Sequence, residues 1–209
     1  MKKRVYIGVN GIRCPPGDPQ NWNGMMVDWI HRNTNDRAVM FEYYCDVIWR
    51  AFFQKSRAEK LAAKIEAYAG DEIILVGHSN GTDLILKALA LMNWPRIEEI
   101  HLVSAACEAD FKLNGLNGAL KRKDIGVVHV WMSGRDSALQ LANCWLGRLL
   151  GYGVLGLTGP KNVDPEIESH RIVPTLWSAR DHSDCFKPYC FGETMRGFCT
   201  SVLPMGEKP

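Results

Sequence analysis

The chain has 209 residues, 46% of them apolar and 23% charged, with a formal net charge of +2. That length can bury a full core as one domain, 1–209, and the composition is that of a globular protein rather than a disordered or fibrous one. The charge gives no reason to expect a polyanionic partner: Lys2-Lys3-Arg4 and Lys121-Arg122-Lys123 are short and read as solvated element ends, and without interleaved aromatics or zinc-finger spacing nucleic-acid binding is not expected.

No stretch approaches the ~20 apolar residues of a membrane span. Val5–Val9 is too short for the apolar core of a secretory signal. A cytoplasmic protein is therefore expected. The seven cysteines are odd in number and contain no CxxC pair, as expected of free thiols in a reducing compartment. Pairing of Cys185 with Cys190 stays open.

The first strand-like run is Val5–Val9. A Pro/Gly-rich loop from Ile12 to Gly24 follows, then a helix from Met25 to about Arg32. Ala38–Tyr44, β-branched and aromatic, reads as strand two. Ser56–Tyr68 reads as an amphipathic helix with Leu61, Ala62, Ile65 and Tyr68 on one face, stopped by Gly70. Ile73–Val76 is continuously apolar, which suits a central parallel strand buried on both faces. Thr82–Met92 is a helix apolar on most sides. Ile100–Val103 and Val127–Met132 are strands four and five, Ser137–Leu150 is helical, and Gly151–Pro160 is a glycine-rich loop. Arg171–Trp177 is strand six, and Pro174 assigns it to a sheet edge because proline donates nothing to the ladder. A last helix runs from about Glu193 to Val202. This alternation predicts a three-layer α/β/α fold on a mainly parallel six-stranded sheet.

Behind strand three stands Gly77-His78-Ser79-Asn80-Gly81, a G-x-S-x-G motif between a strand and a helix. That context exposes a serine on a sharp turn, and the flanking glycines leave room for the crowded backbone. A serine hydroxyl needs a base, and the base needs an orienting acid. On this architecture the chain order is serine, acid, histidine, each past the carboxyl end of a strand. Asp136 follows strand five and His182 follows strand six. Simpler readings stand beside these: Ser79 and Asp136 are also suitable helix N-caps. Asp110 and Glu108 past strand four compete for the acid, and Asp181 and Asp184 lie too near His182 to be preferred. No HExxH, carboxylate cluster or Cys/His set has metal-ligand spacing, and no phosphate loop is present, so no metal and no cofactor are expected.

With these residues in place the chain resembles the α/β-hydrolase superfamily, in its serine esterase and lipase branch. The resemblance covers essentially the whole chain and is that of a minimal, capless form. It implies sheet order 2-1-3-4-5-6. It also implies an oxyanion hole from the backbone amides of Ile12 and Asn80, each donor worth roughly 3–4 kcal/mol. Many relatives carry His-Gly where this chain has Asn10-Gly11. The position of His78 commonly packs beneath the site in this family and is assigned no chemistry. The expected activity is hydrolysis of small-molecule carboxylic esters through an acyl-enzyme on Ser79, His182 and Asp136. Thioesterase, amidase or lipase chemistry on the same triad, or a non-catalytic binding protein on the fold, are the alternatives. Trp22, Trp49, Tyr152 and Leu155 are candidates to line an acyl pocket, with ordinary packing as the other reading.

Overall fold

The computed structural model describes residues 3–12, 14, 16–18, 21–46, 49–144, 147, 151–177 and 181–199, with the backbone alone at 49–52. Six strands form one sheet: β1 (Arg4–Val9), β2 (Arg37–Phe41), β3 (Glu72–His78), β4 (Ile97–Val103), β5 (Ile125–Met132) and β6 (Ile172–Leu176). Their order is β2-β1-β3-β4-β5-β6, and every neighbouring pair is parallel. Parallel neighbours need long crossovers, and helices supply them. The described helices are α1 (Trp22–Asn33), α2 (Trp49–Glu66), α3 (Asn80–Leu91), α4 (Leu116–Lys121), α5 (Ser137–Ala142), α6 (Leu155–Thr158) and α7 (Pro188–Phe198), the last of which follows β6.

The continuous apolar runs of β1 and β3 follow from burial on both faces. Val5, Ile7 and Val9 of β1 and Ile73 and Leu75 of β3 join one core with Leu61 and Ile65 of α2, Leu84 and Ile85 of α3 and Leu120 of α4. Tyr6, Ile74 and Val76, pointing the other way, join a second core with Trp22, Met26 and Ile30 of α1 and Met195 and Phe198 of α7. The period-2 alternation of strand side chains thus splits each run between the two helical layers. Pro174 of β6 sits opposite Val130 in the edge strand, where its missing N–H costs no ladder bond.

Several elements depart from their expected bounds. The first helix begins at Trp22, three residues before Met25, and α2 begins at Trp49, seven before Ser56. β4 starts at Ile97 rather than Ile100, because Glu98 and Glu99 continue the strand. The fifth helix ends at Ala142. The remainder of its expected span to Leu150 falls largely outside the described residues, as does the expected end of the last helix at Val202. α6 interrupts the expected glycine-rich loop. Among the described residues no helix is long and apolar enough to cross a membrane.

Candidate active site

β3 runs through Gly77 and His78 directly into Ser79, and α3 opens at the next residue. Ser79 has φ 53° and ψ −124°, a conformation unfavourable for a residue with a Cβ. Such strain costs roughly 1–3 kcal/mol and survives only when the surroundings over-determine it. Here they do. The Ser79 N–H donates to the Val103 carbonyl at 3.0 Å. Its own carbonyl accepts from the Thr82 N–H at 3.1 Å, the Thr82 hydroxyl at 2.6 Å and the Ala106 N–H at 3.3 Å. Gly81 is required by space, since a Cβ there would strike the carbonyl oxygens of Val9 and Asn10 at the end of β1.

Asp136 and His182 follow β5 and β6, and the fold brings them together. The fully buried Asp136 carboxylate accepts from His182 Nδ1 at 2.9 Å through Oδ1 and 2.8 Å through Oδ2. A carboxylate can only accept, so Nδ1 carries the proton and a neutral His182 presents Nε2 bare. Asp136 also caps α5, its Oδ1 accepting from the Leu139 N–H at 2.8 Å. This one side chain thus both caps α5 and contacts the His182 ring.

The backbone of His182 is held as well. Asp181 Oδ1 accepts from the His182 N–H at 2.7 Å and from the Ser137 hydroxyl at 2.8 Å. His78 Nε2 lies 2.9 Å from the His182 carbonyl oxygen, to which it must donate. Burial pushes the His78 pKa down to about 3, with nearby His182 adding to the effect, so the ring is neutral. Phe186 meets it edge-on at 5.0 Å and Trp22 at 6.3 Å between ring centroids. This bond gives His78 a role that its place in the motif did not disclose, because its partner is a backbone atom 104 residues away.

The loop after β1 and the start of α3 carry the amides of Ile12 and Asn80. Gly11 brings that loop against the elbow, where an added Cβ would lie 3.0 Å from Ser79 Cβ. The buried Tyr43 hydroxyl bridges the two segments: it donates to the Asn10 carbonyl at 2.7 Å and accepts from Asn80 Nδ2 at 3.0 Å. Burial raises the phenol pKa, so it remains a donor.

Ser79, His182 and Ile12 open onto one cavity of about 670 Å³. Ala138, Leu139, Leu141 and Ala142 of α5, with Cys144, Gly147 and Tyr152, form an apolar wall, and no Lys, Arg, Asp or Glu lines it among the described residues. Of the candidate pocket residues, Tyr152 lines this cavity. Trp22 does not: it stacks on Phe186, with centroids 4.5 Å apart, beneath the site. Leu155 is also displaced, fully buried in the core with α2 and α3 because α6 turns it inward. The Trp49 side chain lies outside the described residues.

The competing acids stand elsewhere. Asp110 is engaged by Asn162 and by the amides of Lys112 and Leu113, and Glu108 accepts from the Asp110 N–H. Cys185 and Cys190 are free thiols. Glu99, His101 and His129 place three possible ligand atoms within 4.8 Å of one another, away from the cavity. Their geometry suits two stacked imidazoles facing a carboxylate better than a metal site. The two imidazoles stack at 4.4 Å and 5° from parallel, so no ion can lie in both ring planes. The Trp131 indole N–H donates to His101 Nδ1 at 3.3 Å, which leaves the proton of neutral His101 on Nε2, facing Glu99 Oε2 at 3.3 Å.

No protein-family model matches the chain, and no curated protein matches it in sequence. Solved structures do match in three dimensions. A protein of Agrobacterium vitis S4 superposes with a TM-score of 0.59 at 14% identity, over 96% of this chain and 88% of its own. A lipase-esterase related protein from Clostridium acetobutylicum gives 0.57 at 11% identity, over 95% of each chain. The mature lipase BlEst2 of Bacillus licheniformis gives 0.52 at 13% identity, over 93% of this chain and 91% of its own. With its strand order, its all-parallel sheet and these neighbours, the chain has the α/β-hydrolase fold.

Proposed function

We propose that the protein is a serine hydrolase cleaving carboxylic esters through an acyl-enzyme. The observation that carries this reading is the double contact of the buried Asp136 carboxylate with His182 Nδ1, beside a cavity that Ser79 and His182 share. His182 Nε2 takes the hydroxyl proton as Ser79 Oγ attacks the acyl carbonyl carbon. Negative charge moves to the carbonyl oxygen, for which the amides of Ile12 and Asn80 are the proposed donors. The Asn80 amide stands in the first turn of α3, where the helix dipole is positive. The tetrahedral intermediate collapses, the C–O bond breaks, and the imidazolium returns its proton to the alcohol oxygen. Water then gives a proton to Nε2 as it attacks the acyl-enzyme. Carboxylic acid leaves and Ser79 regains its proton.

The uncharged wall of the cavity supports a neutral, apolar acyl group. Steady-state turnover of an aryl ester series tests the reading, with a thioester and an amide of the same acyl group as comparators. Ser79→Ala is expected to lower ester kcat by at least about 10³-fold without unfolding the protein. Full ester turnover by that variant would overturn the mechanism, and preference for the thioester or amide would move the substrate class.

A further inference from the structure

We infer that His78 is a positioning residue for His182: by donating its Nε2–H to the His182 carbonyl oxygen it ties the loop bearing the base to the elbow bearing Ser79. The inference rests on the serine-hydrolase reading. Ser79 is the next residue in the chain, directly after β3, so the bond joins the residue preceding the proposed nucleophile to the backbone of the proposed base. The other ties reach different atoms: Asp136 holds the ring, and Asp181 holds the N–H. Neither touches the carbonyl.

Packing alone does not account for a histidine here. Among the described residues its buried Nδ1 has no hydrogen-bond partner, a cost that leucine or phenylalanine between Trp22 and Phe186 would avoid. The donor bond at Nε2 offsets that cost. Neutrality matters too. The His78 ring centroid lies 4.8 Å from that of His182, so a charged His78 would oppose the imidazolium that forms in the reaction.

The test compares His78→Gln, His78→Asn and His78→Leu with wild type. Ester kcat and KM are read for each, with a thermal melt. A glutamine amide reaches about as far as Nε2, whereas an asparagine amide falls short. Asn and Leu are expected to lower kcat about tenfold to a hundredfold with KM within about twofold, and Gln to recover most of the loss. Wild-type kcat in the Asn and Leu variants, or a Gln variant no better than Asn at equal thermal stability, would overturn the inference. If Leu does not fold, the Gln–Asn comparison still decides, since both are polar and differ in reach. Absence of ester turnover by wild type is a separate failure. It appears before any substitution and overturns the hydrolase reading itself.

Discussion

Ser79 carries its strain at a position whose surroundings give it no alternative. Its carbonyl is fixed by three donors and its N–H by β4. Glycine accepts a positive φ without the Cβ penalty. Ser79→Gly is therefore expected to raise unfolding stability by about 1 kcal/mol while abolishing turnover, as read from urea denaturation alongside an ester assay. Asp136 separates its two duties under substitution. Asparagine can still cap α5 through its Oδ1, but its amide cannot hold the His182 proton on Nδ1 as a carboxylate does. Asp136→Asn should lower kcat by about 10³–10⁴-fold with thermal stability nearly unchanged. A large loss of stability with modest loss of kcat would make Asp136 chiefly a cap.

At the scale of elements, α5 is both anchored by the site and part of its wall. Asp136 caps its start, and Ala138, Leu141 and Ala142 turn one side to the cavity at helical spacing. Ala142→Trp should fill space there. It is expected to lower kcat/KM for a long-chain ester at least about tenfold more than for an acetate ester, with each excluded methylene worth about 0.8 kcal/mol. Equal losses on both would place the chain elsewhere. Strand centres were legible because Ile73–Val76 and Val5–Val9 are buried on both faces and hence continuously apolar. Strand starts were not, since Glu98 and Glu99 read as loop though they belong to β4. α4 and α6 have only six and four residues, too few for a helical period to show. That Ser79, Asp136 and His182 would meet past the ends of β3, β5 and β6 was legible from residue type and chain order. The bonds of His78 and Tyr43 were not, because each ends on a backbone carbonyl far away in sequence and leaves no pattern there.

Across the whole molecule, two buried imidazoles make stability depend on pH. Desolvation lowers the His78 pKa to about 3 and that of His101 to about 4, from ordinary values of 6.5. In both the folded pKa is the lower, so between these values the unfolded chain binds more protons and stability rises with pH. Their contribution is present above about pH 6.5 and is lost as pH falls toward 4 and 3. Glu99, held well below the usual carboxylate range by hydrogen bonds from His101 and His129, extends the loss below its ordinary 4.5. The unfolding free energy from urea denaturation, and with it the midpoint, should fall steadily from pH 7 to pH 4.5, the free energy by at most about 1.4 kcal/mol per pH unit for each histidine. A midpoint flat over that range would contradict the burial of these rings.

The same fold carries many activities, so the neighbours establish architecture and the site must establish chemistry. The central claim is that Ser79 is an activated nucleophile. Labelling the intact protein with a fluorophosphonate probe, followed by peptide mass spectrometry, tests it most directly. The predicted result is one adduct, on the peptide containing Ser79, absent in Ser79→Ala and formed far more slowly in His182→Ala. A folded wild-type protein that takes up no probe, or one labelled equally after Ser79→Ala, would contradict it.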